Sequence, residues 1–214
     1  MSIKRRTRKS DATTPGGVVR TVPAPRARTK LSNLYWEHRL GISTRGVVPV
    51  AHPDSVHYAT ISYPGLWPIL DHLVLGPSDV FIDVGSGKGR VLCCAARYRV
   101  RQVVGVDLSE PFCATARENA RRMRGRRSPI SIHTATADNL DYSAATVLFL
   151  FNPFGAATLA PLLEKIGREA SGDVRIAYPQ PTHRDVFEQQ AWLEQTAHWD
   201  ATERDPAVSF YRST

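Results

Sequence analysis

Long apolar runs are missing from this sequence of 214 residues, and a membrane-spanning helix needs about 20 such residues in succession. The basic start, Met1 to Ser10, is followed by no apolar segment and no small-residue cleavage site, so no secretory signal is expected and the cytoplasm is the expected compartment. Cysteine is scarce. Cys93, Cys94 and Cys113 form no Cys-x-x-Cys pair, which argues against a disulfide framework and a zinc knuckle. They read as reduced thiols, with Cys93 and Cys94 as small hydrophobes on a packed helix. The histidines, among them His52, His57, His72, His133, His183 and His198, lack paired spacing such as His-Glu-x-x-His, so no metal is expected. No internal repeat is visible, and solenoids and propellers drop out.

Positive charge is present in excess, at +8, but it is confined. Residues 1–30 hold nine Lys and Arg against the single acid Asp11, whereas residues 31–214 hold nineteen of each sign. That leading segment is rich in Pro, Gly, Thr and Arg and poor in large apolar residues, so it predicts a disordered basic tail over 1–30. A second basic cluster, Arg117, Arg121, Arg122, Arg124, Arg126 and Arg127, admits two readings. It is dense enough for phosphate contact, and it also suits a solvated helix C-terminus that complements the macrodipole. Nucleic acid thus enters as a candidate partner through the tail and Arg117–Arg127.

From Leu31 the pattern predicts a helical and looped cap over 31–76, with helices at 31–40 and 65–75 separated by breakers Pro49, Pro53 and Pro64. Residues 77–214 then alternate short β-rich runs with helical stretches, the signature of consecutive βαβ units. Strands are predicted at 79–84, 102–107, 130–134, 146–151 and 173–178, and helices at 88–98, 109–124, 156–170 and 183–190. The run 146–151, apolar on both faces, belongs at mid-sheet. Runs 192–199 and 207–212 are expected as an antiparallel pair at the sheet edge. The fold class is α/β: a doubly wound, mostly parallel, seven-stranded Rossmann-like sheet with an antiparallel C-terminal edge.

Chemistry concentrates at Asp83-Val84-Gly85-Ser86-Gly87-Lys88-Gly89, a glycine turn between a strand and a helix. Gly85 allows the sharp turn, Gly87 lets backbone approach a ligand, and Gly89 is expected to let the new helix pack on the strand. The spacing G-x-G-x-G departs from the dinucleotide fingerprint G-x-G-x-x-G. Lys88 is followed by Gly89 rather than Ser or Thr, which disfavours a nucleoside-triphosphate loop. The next strand ends at Asp107, 24 residues beyond Asp83, where a carboxylate can accept ribose hydroxyls. Ala137-Asp138-Asn139-Leu140 follows the third strand, and Phe151-Asn152-Pro153-Phe154-Gly155 the fourth.

These four segments, in this order, resemble class I S-adenosylmethionine-dependent methyltransferases. Residues Glu37 to Gly46 and Tyr63-Pro64 resemble an uncharacterised bacterial branch of them. The resemblance implies S-adenosylmethionine as cofactor and S-adenosylhomocysteine as product. It assigns cofactor contacts to Asp83, Gly85, Ser86, Gly87, Gly89, Asp107, Leu108, Asp138, Asn139 and Asn152, with Asp83 at the amino end of the methionine part and Asp138 at the adenine. Asn152-Pro153-Phe154 resembles the Asn-Pro-Pro-Phe/Tyr motif of amino-group methyltransferases, with one proline where that motif has two.

On this reading Asn152, Pro153 and Phe154 are catalytic. The first two offer carbonyls to an acceptor's N–H groups, and Phe154 stacks on a flat substrate. Tyr63 and His183 are candidate substrate contacts, and His183 is the available base if the acceptor is an oxygen. The acceptor is expected to be a nitrogen of a small molecule or natural product. A nucleic-acid or protein acceptor and a non-catalytic cofactor-binding protein stand as alternatives.

Overall fold

A computed structural model describes residues 27–45 and 60–214. The expectations for residues 1–26, for the breakers Pro49 and Pro53 and for His52 and His57 lie outside the described residues.

Helix α1 spans Ala27–Leu40, so the last four residues of the expected tail are helical. Ala27-Arg28-Thr29-Lys30 contains neither glycine nor proline, and nothing there stops a helix before Pro25. Its end is set by Gly41 at φ +72°. The Gly41 amide donates to the His38 carbonyl and the Ile42 amide to that of Glu37, the doubled bonding of a Schellman cap. Helix α2 covers Tyr63–His72, two residues ahead of expectation. Ser62 caps it by accepting from the Gly65 amide at 3.1 Å, and Pro64 occupies the first turn, where a missing N–H costs nothing.

The remaining elements are β1 (Val80–Val84), α3 (Arg90–Ala95), β2 (Gln102–Asp107), α4 (Glu110–Arg122), β3 (Ile130–Thr134), β4 (Val147–Leu150), α5 (Ala156–Glu169), β5 (Arg175–Pro179), α6 (Arg184–Glu188), β6 (Leu193–Trp199) and β7 (Val208–Ser213). Ala137–Asn139 forms a single 3₁₀ turn. The seven strands run in the order β3-β2-β1-β4-β5-β7-β6. Pairings are parallel from β3 to β5, and β7 is antiparallel to both β5 and β6. This is the expected doubly wound sheet with its antiparallel edge.

Strand periodicity splits the core in two. Phe81, Val103, Phe149 and Ala177 face one side, against α2, α3 and Leu40. Ile82, Val104, Leu148 and Ile176 face the other, against α5 and α6. With both faces covered, β1 and β4 are buried throughout. The chain winds outward from β1 in one direction and from β4 in the other, so a crevice opens between their carboxyl ends, where sheets of this kind take ligands.

Candidate active site

Both flanks of that crevice carry the singled-out residues. Strand β1 ends at Asp83-Val84 and turns at Gly85, whose φ is +79°. The Gly85 and Ser86 amides donate to the Val106 carbonyl at 2.9 and 3.0 Å, which pins the turn to the end of β2. A Cβ on Gly85 would stand 2.9 Å from the Pro153 Cβ. The glycine turn and the Asn-Pro-Phe segment therefore touch, although about seventy positions separate them in sequence.

Gly89 plays a different part from the one expected. A Cβ there would meet Ala116 of α4 at 3.1 Å, so Gly89 lets the turn approach α4 rather than the strand. The close helix-to-strand approach belongs to Gly105 on β2. A side chain at that position would meet Leu92 Cδ1 at 2.5 Å and Ser86 Oγ at 2.8 Å.

The electrostatics of the crevice are acidic. Asp83 is only 3% exposed, and among the described residues no donor bonds its carboxylate. Burial first, and the charge of Asp107 second, push its pKa well above the usual carboxylate range. In Asp107, one oxygen accepts the Gly87 amide at 2.8 Å and the other the Ser109 amide at 2.9 Å. Burial raises the Asp107 pKa, and those two bonds oppose the rise. Ser86 Oγ is buried with no hydrogen-bond partner among the described residues. A buried and a half-buried carboxylate with an unpartnered hydroxyl suit a ligand that carries positive charge and a hydrogen-bonding group. Leu108, 42% exposed, offers an apolar surface beside Asp107. Asp138 and Asn139 lie exposed on the 3₁₀ turn, Asn139 bonding Thr136. The preceding Ala135 amide donates to the Asp107 carbonyl, which brings that turn beside the end of β2.

Across the crevice, Asn152 follows β4 with φ +41°, a left-handed conformation that asparagine tolerates better than most residues. It is 7% exposed. Its Oδ1 accepts the Tyr178 hydroxyl at 3.0 Å, and that hydroxyl accepts the His183 amide at 3.3 Å. Because the His183 N–H can only donate, the single hydroxyl proton is left available to the Asn152 carbonyl that faces it. Burial pushes the Tyr178 phenol up to about 12. Its ring stacks on Phe187 at 4.6 Å.

Two candidates are placed otherwise than expected. Tyr63 is wholly buried in the core, its ring 4.5 Å from the Arg90 guanidinium and stacked on Trp36. It serves packing rather than a substrate surface, because a tyrosine opening α2 turns its ring inward. Phe154 is half-buried against the core cluster under α5, so much of its ring is engaged before any substrate arrives. His183 stands at the start of α6, joined to Asn152 through Tyr178.

Nothing in the residue pattern signals the link between the N-terminal segment and the turn. Glu37, 2% exposed, accepts from the Thr44 amide and hydroxyl, from Arg45 Nε at 2.7 Å and from Arg90 at 3.4 Å. Arg90, the first residue of α3, also donates to Thr44 Oγ1 and the Ile61 carbonyl. Asn119 of α4 binds both backbone groups of Ser43 and the Lys88 carbonyl, while Lys88 Nζ reaches the Arg45 carbonyl at 2.6 Å. Residues 41–45 thus run as a strap along α3 and α4 up to the glycine turn. A pocket lined by Asp173, Trp192 and Arg212 opens at the opposite edge of the sheet and holds none of the candidate residues.

Residues 81–170 match the family model described as a methyltransferase domain. Over 43 residues, a fifth of the chain, the sequence is 46% identical to the H3 lysine-79-specific histone-lysine N-methyltransferase of Caenorhabditis elegans, of which the match covers 4%. Among solved structures, an RNA methyltransferase from Salinibacter ruber in complex with S-adenosyl-L-homocysteine superposes with a TM-score of 0.56 at 20% identity, covering 73% of this chain and 93% of that one. The magnesium protoporphyrin IX methyltransferase of Synechocystis, with bound S-adenosylmethionine, gives 0.54 at 13% identity over 70% and 78%. At such identities the likeness to these structures is one of fold.

Proposed function

We propose that the chain, whose residues 81–170 match a methyltransferase domain, is a class I, S-adenosylmethionine-dependent methyltransferase that moves a methyl group to a nitrogen held at Asn152 and Pro153. The observation that supports this reading is the close approach of Pro153 to Gly85, which brings the Asn152-Pro153 segment beside the glycine turn that the resemblance assigns to the methyl donor.

When bound, S-adenosylmethionine supplies an electrophilic methyl group on a sulfonium. The residues of the crevice fit it. Asp83 would face the cationic amino end, and Ser86 Oγ would bond the methionine part. Each Asp107 oxygen keeps a second lone pair for a ribose hydroxyl after accepting its backbone amide. Leu108, Asp138 and Asn139 would border the adenine. Asn152 Oδ1, with one lone pair used by Tyr178, and the Pro153 carbonyl accept the acceptor's N–H bonds and aim its lone pair. Positioning of this kind can supply most of the rate of an in-line displacement. No residue needs to act as a base for an amine acceptor that arrives neutral.

For the body of the acceptor, a small molecule or natural product is the first reading. A macromolecule is the second, favoured by the local likeness to a lysine N-methyltransferase. The test incubates the chain with methyl-labelled S-adenosylmethionine and a cell extract split into RNA, protein and small-molecule fractions, and then locates the label by fragmentation mass spectrometry. Label on nitrogen is expected, in the small-molecule fraction for the first reading and in a polymer for the second. Label on oxygen or carbon overturns the nitrogen assignment.

A further inference from the structure

The loop before β2 and the loop before β3 lie side by side at the amino edge of the sheet, away from the crevice. The Arg127 amide donates to the Ala96 carbonyl at 2.8 Å. Ser128 Oγ ties the Tyr98 carbonyl to the Val100 amide, and the Arg97 guanidinium lies over Gly125. This brings Arg97 and Arg99 together with Arg122, Arg124, Arg126 and Arg127, two groups that sequence alone keeps apart. Five of these six side chains are exposed, and Arg97 is half-buried.

None of the six forms an ion pair among the described residues. Arg117 and Arg121 of the same helix do, with Glu110 and Glu118, and so fall outside the patch. The segments 96–101 and 121–127 contain no acid, although residues 31–214 as a whole carry equal numbers of acids and bases. Charge is therefore segregated rather than in general excess.

Helix capping accounts for only part of this. Arg124 gives one N–H to the His38 carbonyl, Arg126 one to the Ala120 carbonyl and Arg122 one to Asn119 Oδ1. Each guanidinium has five N–H donors, so four remain on each of these three. The single bond also orients the planar group, which lowers the entropy lost when it meets a phosphate. Side-chain bonds are absent for Arg97, Arg99 and Arg127 among the described residues. Tyr98, between the first two, is half-buried, with its ring against Trp67 and its hydroxyl bonded to Asp71 at 2.5 Å, so among the described residues these loops offer no exposed aromatic to a base.

We infer that this six-arginine patch is a docking surface for the phosphate backbone of a nucleic acid, read by charge and not by base sequence. It lies about 20 Å, the length of one six-residue strand, from the crevice, so the bound polymer reaches or passes the methyl-transfer edge only by extending along the molecule. The inference does not depend on which nitrogen is methylated.

The test is fluorescence anisotropy on the full chain with a fluorescein-labelled mixed-sequence single-stranded RNA and, separately, a duplex DNA, from about 50 to 200 mM salt. Each phosphate contact contributes about −0.7 to the log–log salt slope for single strands. The variant R97Q/R126Q/R127Q should lower that slope by about 2 and weaken binding at least tenfold, with melting temperature and S-adenosylhomocysteine affinity held. Arg99→Gln with Arg127→Gln, which breaks no side-chain bond, should move both quantities in the same direction and keeps the test open if the triple variant misfolds. Wild-type affinity and slope in both variants, with binding lost only when Lys4, Arg5, Arg6 and Arg8 become Gln, would overturn the assignment. So would failure of the wild type to bind either probe.

Discussion

At the scale of single residues, the site stands on a buried acid, Asp83, that no cation among the described residues neutralises. A carboxyl whose folded-state pKa is raised costs the fold stability once the unfolded chain can ionise. That cost is absent below the unfolded value of about 3.9, grows as pH rises from there to the folded value and is complete above it. Asp83→Asn should therefore raise the melting temperature of the ligand-free chain at neutral pH, and leave it nearly unchanged near pH 4, while weakening S-adenosylmethionine. Because a cationic ligand favours ionised Asp83, binding should release protons and tighten as pH rises through the Asp83 titration. Calorimetry in buffers of different ionisation enthalpy reads this directly. Proton release that persists in Asp83→Asn would assign it elsewhere.

Asn152→Ala should lower turnover about 100-fold or more and leave cofactor affinity nearly intact, since its carbonyl acts on the acceptor. A variant with normal turnover per folded molecule and a lower melting temperature would make Asn152 a turn residue only. Asp83, Asp107 and Asn152 stand out in the sequence as candidates because each lies at or just past a strand end near a glycine or proline. Tyr178, which holds Asn152, was not. A tyrosine inside an apolar strand looks like core until the fold shows what its hydroxyl meets.

Among the elements, the strands were readable to within two residues because period and length follow from the backbone alone. Contacts between elements were not. Gly105 reads as an ordinary strand residue in Val-Val-Gly-Val, yet it makes room for Ser86 and Leu92. Gly105→Ala should cost about 1–3 kcal/mol through overpacking and weaken cofactor binding as the turn shifts. A melting curve and a binding isotherm on the same variant check both, and an unchanged isotherm would separate Gly105 from the site. The strap from Gly41 to Arg45 is a similar case. Its anchor, the buried Glu37–Arg90 pair, is a glutamate and an arginine more than fifty positions apart. Removing one partner strands the other, so Glu37→Ala should lose about 3–5 kcal/mol. A loss under about 1 kcal/mol, the range of exposed pairs, would show that the strap is not held there.

For the whole molecule, the alternation of strand and helix was enough to foresee a doubly wound sheet, and the reversal between β1 and β4 is what gives that sheet a crevice. The same topology puts the arginine loops at the other edge, so the molecule has an acidic ligand edge and a basic outer one. Tyr63 shows where sequence reasoning stops. It belongs to a resembling segment, Tyr63-Pro64, but its ring packs on Trp36 and Arg90, neither of them adjacent to it in the chain. The account rests on the crevice taking the cofactor through Asp107, and isothermal titration of S-adenosylhomocysteine into the wild type and Asp107→Ala tests it most directly. One site per chain is predicted, weakened by about 1.5–3 kcal/mol in the variant as charge-assisted bonds to the ribose are lost. No binding to the wild type, or equal affinity in both proteins, would contradict it.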